Sequence, residues 1–237
     1  MPRITPRSPI KASNHFSRLI KSVLDKRHET ASHKTYLKTM AEKDKFQEWP
    51  IKRNLQEYND CFSIALQKLR LGRDIPDYLK RRYLRTKEPV TVLDLGGGAG
   101  YFLADLKKLF NSQQIPSKLE SLSLYDNLSP ESQRLIDKKH IISASEQKLT
   151  KKYDLIVDVF SAINFEFDSV KKNLILKYSY SLKKGGTLLL AGIYKSPESK
   201  NNISAHLRKQ GFIAEFIDQI DNPFVNDKKT VLVITRK

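Results

Sequence analysis

One cysteine, Cys61, stands among 237 residues, so no disulfide can close within the chain, and no grouping of cysteine with histidine has the spacing of a zinc site. An intracellular, cytoplasmic setting and a fold free of structural metal are the expectations. Long apolar runs are missing too: stretches such as Thr187–Ile193 fall far short of the roughly 20 residues a membrane span requires. The first residues lack the apolar segment of a secretory signal. Glycine and proline number 9 and 10, too few for a collagen-like or low-complexity chain, and a hydrophobic share of 39% argues against global disorder. Acidic residues are scarce, with 26 Asp and Glu facing 43 Lys and Arg for a formal net charge of +17. Residues 1–88 hold 21 of the basic and 10 of the acidic side chains, a net +11, against +6 for residues 89–237. Such a field draws anions: nucleic acid, an acidic membrane face or an acidic protein. A lysine-rich surface that only keeps the chain soluble is the plainer alternative.

Three regions follow from the changing pattern. Residues 1–45 form a basic arm, partly disordered or helical. Its prolines Pro2, Pro6 and Pro9 oppose an amphipathic transit helix, whereas Phe16, Leu19, Ile20, Val23 and Leu24 fit one short helix, and its histidines read as surface residues. Residues 46–88 form a helical cap, with Trp49 and Phe46 as an apolar anchor. Within it, Leu55, Tyr58, Phe62, Ala65, Leu66 and Leu69 share one helical face, and Gly72 supplies a stop. Asp74 and Pro76 then start a second helix, with Ile75, Tyr78, Leu79 and Tyr83 turned inward and Lys80, Arg81, Arg82 and Arg85 toward water; Pro89 ends the segment.

From Val90 the pattern becomes strand, tight turn, helix, repeated. Strands are expected at Val90–Leu95, Leu119–Tyr125, His140–Ala144, Leu155–Phe160 and Thr187–Tyr194, with helices between, one of them Ser169–Leu182 stopped by Gly185-Gly186. Strands alternating with helices imply a doubly wound, mostly parallel α/β sheet over residues 89–237. Phe212–Asp218 and Thr230–Thr235 are joined by too few residues for a crossover helix, so they should pair as an antiparallel hairpin at the sheet edge.

The segment from Val92 to Phe102, Val-Leu-Asp-Leu-Gly-Gly-Gly-Ala-Gly-Tyr-Phe, carries most of the chemistry. Glycines directly after a buried strand let the backbone approach a ligand, and the following helix points unpaired N–H groups at it. A nucleotide-like cofactor is implied. Tyr101 stands where a dinucleotide fingerprint needs its third glycine, and no Gly-Lys-Ser/Thr follows the loop as a Walker motif demands. With Asp94 followed by Gly96, Gly98 and Gly100, the chain resembles the class I S-adenosylmethionine-dependent methyltransferases over about Val90–Lys237. The likeness is to the superfamily and points to no single member.

The resemblance implies a seven-stranded sheet of order 3-2-1-4-5-7-6 with the last strand antiparallel, the helical cap lying over the carboxyl ends of the strands. It also implies a set of site residues. The loop of Gly96, Gly97, Gly98 and Gly100 would lie under the methionyl part of S-adenosylmethionine, and Asp94 would help orient it. Asp126, with Asn127 beside it, matches the acid that holds the ribose hydroxyls, a bidentate and charge-assisted contact. Ser145 or Glu146 would meet the adenine, and Asp158 and Phe160 would line the floor near the sulfonium. Asp158-Val-Phe-Ser161 is not the Asn/Asp-Pro-Pro-aromatic motif of enzymes that methylate exocyclic base nitrogens, and Ala191 stands where the ribose methyltransferases with a Lys-Asp-Lys-Glu tetrad need a lysine. The expected activity is methyl transfer to an unidentified acceptor, with RNA or another anionic substrate favoured by charge. Asp158 or Tyr125 would serve as base where the acceptor arrives protonated. Three other functions remain open: a non-catalytic nucleic-acid-binding protein with a vestigial pocket, an aminopropyltransferase-like enzyme, which the basic cap argues against, and a nicotinamide oxidoreductase, which Tyr101 disfavours.

Overall fold

A computed structural model of the chain describes residues 53–159, 162–163, 168–192, 197–219 and 229–237. The expected arm, the stretch around Phe16 to Leu24, and Trp49 with Phe46 lie outside the described residues.

Two helices come first, and their starts are written in the sequence. Helix α1, Leu55–Lys68, opens with a capping box in which Asn54 accepts the Glu57 N–H and the Glu57 carboxylate accepts the Asn54 N–H. Helix α2, Ile75–Thr86, is capped by Asp74 and has proline in its first turn. Gly72 does not supply the expected stop: α1 ends at Lys68 with Leu69 as its C-cap. Arg70 takes the left-handed conformation, with φ of 55°. Gly72 is instead required by packing, because a Cβ there would lie 2.8 Å from the Tyr78 backbone nitrogen.

The remaining elements alternate: β1 (Val90–Leu95), α3 (Tyr101–Ser112), β2 (Ser117–Ser123), α4 (Pro130–Leu135), β3 (Lys138–Ile141), β4 (Tyr153–Val159), α5 (Asp168–Tyr180), β5 (Leu182–Ala191), α6 (Pro197–Lys209), β6 (Phe212–Gln219) and β7 (Lys229–Arg236). Seven strands form one sheet in the order β3-β2-β1-β4-β5-β7-β6. The first five run parallel, and β7 is antiparallel to both β5 and β6. This is the expected doubly wound α/β fold. All seven residues of β4 are buried, as a central parallel strand covered on both faces must be.

The alternation of side chains divides the core in two. On one face Val92, Leu155, Val157, Leu189 and Val233 pack against Phe62 and Leu66 of α1, Leu79 of α2, and Phe102 and Leu106 of α3. On the other, Leu93, Ile156, Leu188, Leu190 and Leu232 pack against Ile175 and Tyr178 of α5 and Leu207 of α6. The two leading helices therefore form part of a covering layer and do not lie as a lid over the strands' carboxyl ends. Only the start of α1 reaches those ends; α2 lies at the amino ends, where the Tyr78 hydroxyl donates to the Asp154 carbonyl at 3.0 Å.

Two details correct the sequence expectation. Arg82, assigned to the water face, is 4% exposed and donates to Asp154 from Nε at 3.2 Å and Nη2 at 2.7 Å. Gly185-Gly186 does not terminate a helix: β5 already begins at Leu182, and the pair sits in an irregularity where the β4 register jumps from Tyr153↔Leu182 to Leu155↔Thr187.

Candidate functional site

The glycine loop leaves β1 at its carboxyl end, next to β4 on one side and β2 on the other. Gly96, Gly98 and Gly100 all take left-handed φ values, 72°, 55° and 77°. At Gly100 the constraint is double, since a Cβ would also lie 2.6 Å from a Leu128 methyl carbon. Gly97 is held to glycine by contact: a Cβ would come within 2.2 Å of Asp94 Oδ2. The loop is pinned by the Gly96 N–H to the Leu122 carbonyl at 2.6 Å and by the Gly100 N–H to the Gly97 carbonyl at 2.9 Å. Gly100 is also the N-cap of α3 and offers no side chain to the first N–H groups of that helix.

Asp94 lies beneath this loop, fully buried. Its carboxylate accepts the Tyr58 hydroxyl, at 3.0 Å to Oδ1 and 3.1 Å to Oδ2. The Tyr58 ring stacks on Phe102 with centroids 4.0 Å apart, so α1 and α3 jointly fix the hydroxyl over the acid. Asp158, paired in register with Leu95, brings a second fully buried carboxylate to the same end of the sheet. Its Oδ2 accepts the Ile163 N–H at 2.6 Å and so orders the turn after β4. Arg53 donates to the Val159 carbonyl from just ahead of α1.

The electrostatics follow from this arrangement. Burial, reinforced by the charge of Asp158, pushes the Asp94 carboxyl up to about 7, against the opposing pull of the Tyr58 hydroxyl and the Arg53 guanidinium. Burial, with Asp94 adding to it, holds the Tyr58 phenol well above its ordinary range. Asp94 thus faces one like charge, Asp158, and the opposing guanidinium of Arg53.

The other expected residues lie where the strands end. Asp126 and Asn127 are exposed after β2, and Asp126, its side chain 46% exposed, pairs with Lys139 Nζ at 2.5 Å. Tyr125, half-buried, precedes them, its N–H donating to Ser123 Oγ at 3.4 Å. Ser145 and Glu146 are exposed after β3. That loop is braced from α5, since Lys177 donates to the Ala144 and Ser145 carbonyls and the Tyr178 hydroxyl to the Ala144 carbonyl. Phe160 lies outside the described residues.

The structure therefore brings Asp94, the glycine loop and Asp158 together, with Asp126 and Asn127 one strand away and Ser145 and Glu146 two strands away. Sequence reasoning missed Tyr58 and Arg53. A signal existed for Tyr58, because an inward tyrosine hydroxyl needs a buried partner and Asp94 is an acid inside an apolar strand. None existed for Arg53.

No protein-family model matches the chain, and no curated protein matches its sequence. Solved structures do. The magnesium protoporphyrin IX methyltransferase of Synechocystis PCC 6803, with bound S-adenosylmethionine, superposes with a TM-score of 0.55 at 15% identity, over 89% of this chain and 100% of that one. The amino pentose methyltransferase CalS10 of Micromonospora echinaspora, also bound to S-adenosylmethionine, gives 0.50 at 13% identity over 89% and 100%. The plantazolicin methyltransferase BpumL with S-adenosylhomocysteine gives 0.51 at 11% identity over 96% and 98%. The likeness is one of fold: the chain has the architecture of the class I methyltransferases.

Proposed function

We propose that this protein is an S-adenosylmethionine-dependent methyltransferase whose acceptor is anionic, with RNA the favoured class. The observation that carries the cofactor assignment is the buried acid beneath the glycine loop. Asp94 has one neutral donor, Tyr58, and a second enclosed carboxylate for a neighbour. Negative charge left short of donors in that place favours a cationic ligand, and a loop of left-handed glycines lets one approach the backbone. The net charge of +17 supports the anionic acceptor.

The residues present fit the cofactor. Gly96, Gly97, Gly98 and Gly100 would underlie its methionyl part, Asp94 would orient the ammonium group, and Arg53 would face its carboxylate. Asp126 and Asn127 would hold the ribose. Lys139 must give way there, and an exposed ion pair worth about 0–1 kcal/mol offers little resistance. Ser145 and Glu146 would border the adenine. When bound, the cofactor supplies a methyl group on a sulfonium centre, already a good leaving group, so the protein's main task is alignment, worth up to ~7–11 kcal/mol. Asp158, enclosed and engaged by the Ile163 N–H, orders the turn beside the reacting centre. Tyr125, the more accessible of the two candidate bases, would take a proton from an acceptor that arrives protonated.

Thermal denaturation with S-adenosylmethionine, S-adenosylhomocysteine and NAD tests the assignment. A ligand at 100 times its dissociation constant adds ~2.7 kcal/mol of stability, and the two adenosyl compounds should raise the melting temperature while NAD does not. The Asp126→Ala variant should fold normally and lose most of that shift; an undiminished shift removes the ribose assignment, and no shift in the wild type removes the cofactor.

A further inference from the structure

A second feature lies at the opposite end of the sheet. Where α2 ends and β4, β5 and the end of β7 meet, a cavity of about 520 Å³ is walled by cationic side chains, among them Arg82, Lys152, Lys183, Lys184 and Arg236. Two of these are already compensated. Arg82 and Lys183 both bind Asp154, at 2.7 and 2.9 Å, and Lys183 also faces Glu88 at 3.6 Å.

The others are not. Arg236 donates to two neutral carbonyls, those of Tyr180 at 3.1 Å and Leu182 at 2.8 Å, and Lys152 donates to the Tyr180 carbonyl. Lys184 is exposed and forms no ion pair among the described residues. Carbonyls fix the direction of a cation without neutralising it, so Lys152 and Arg236 are oriented but not neutralised, and exposed Lys184 adds a third positive charge beside them.

We propose that this cavity is a docking site for the phosphodiester backbone of RNA, separate from the glycine loop. Three uncompensated cations exceed what one phosphate neutralises, whereas a nucleic-acid strand brings successive phosphates to successive cations. The seven residues of β4 separate the recess from the strands' carboxyl ends by about 20 Å at ~3.3 Å per residue, so a strand held here need not touch the glycine loop. This does not depend on the methyltransferase assignment.

The test uses the full chain and a fluorescein-labelled 20-nucleotide RNA of mixed sequence, titrated by anisotropy at several salt concentrations. The Lys152→Glu/Lys184→Glu/Arg236→Gln triple variant should bind at least tenfold more weakly, with a log–log salt slope shallower by about 2, roughly 0.7 per lost phosphate contact. Its melting-temperature shift with S-adenosylmethionine should match the wild type. Should the triple variant lose stability, Lys184→Glu alone, an exposed substitution, should still weaken binding and flatten the slope. Unchanged affinity and slope in the folded variants overturn the proposal. So does preferential binding to vesicles of phosphatidylcholine and phosphatidylserine that the same substitutions abolish, which would assign the recess to a lipid surface.

Discussion

Replacing Asp94 by asparagine should stabilise the folded chain at pH 8 while weakening its hold on S-adenosylmethionine. The carboxyl moves from 3.8 to about 7 on folding, a shift worth about 4 kcal/mol between its two protonation states. The sign follows from the direction. A carboxyl with a raised folded value binds its proton more tightly in the native state, so its stabilising contribution is complete below pH 3.8 and is lost as pH rises through 7. At pH 8 the native state holds an enclosed charge at full cost. The amide of the Asp94→Asn variant keeps an oxygen for the Tyr58 hydroxyl but adds an N–H pair, and leaving one of its hydrogens unsatisfied costs about 1–3 kcal/mol. The net gain of about 1–3 kcal/mol at pH 8 corresponds to a melting temperature several degrees higher, at ~2–4 °C per kcal/mol for a chain of this size. At pH 5, where the wild-type acid is largely protonated, the advantage should vanish. Calorimetry of both proteins between pH 5 and 8 measures the difference directly, and isothermal titration with S-adenosylmethionine reads the affinity. A variant that is less stable than wild type by the same amount at every pH refutes the reasoning, as does wild-type affinity for the cofactor.

Three other perturbations test neighbouring parts of the structure. Gly97→Ala places a methyl group 2.2 Å from Asp94 Oδ2; chemical denaturation should show a loss of about 1–3 kcal/mol, and a neutral result would mean that the carboxylate does not lie under the loop. Arg82→Met leaves Asp154 with Lys183 as its remaining cation within ion-pair distance, and breaking an enclosed pair on one side costs about 3–5 kcal/mol, readable from urea midpoints. The bonds from Lys183 and Arg82 hold Asp154 below its usual value despite burial, so wild-type stability from this group persists above pH 4 and falls as pH drops through the depressed value; the variant should show a weaker acid-side decline. Tyr58→Phe keeps the stack on Phe102 and removes the hydroxyl from Asp94, and at pH 8 it should cost about 1–3 kcal/mol for the unsatisfied carboxylate, with a smaller cost at pH 5.

The sheet is legible in the sequence because most of its strands are short apolar runs followed by a helix with a clear period, and the glycine loop is legible because only glycine suits positions 97 and 100. The order of the strands comes from the family likeness and not from the residues. Arg82 misleads for a physical reason: it lies one position from exposed Arg81 on a strongly basic helix, and nothing local shows that Asp154, 72 residues later, waits beneath it. Gly185-Gly186 misleads in the same way, since a glycine pair marks a break in regular structure without saying whether it ends a helix or bulges a strand. Arg53 is invisible because it precedes the helix and one of its partners is the Val159 carbonyl, which carries no sequence signal at all.

The two ends of the sheet handle enclosed carboxylates in opposite ways, and that contrast argues for function at one of them. Asp154, at the amino end, is 3% exposed and receives Arg82, Lys183, and both the N–H and hydroxyl of Thr91. Its donors outweigh its burial, and its carboxyl titrates below the usual range. Asp94, at the carboxyl end and equally enclosed, receives one phenol and has a like charge nearby, so burial prevails and its carboxyl titrates high. An acid that only braced the fold would be expected to resemble Asp154, because each added donor lowers the cost of enclosing it. Leaving Asp94 short of donors costs stability in the free protein, and that cost is recovered if a cationic ligand completes its surroundings.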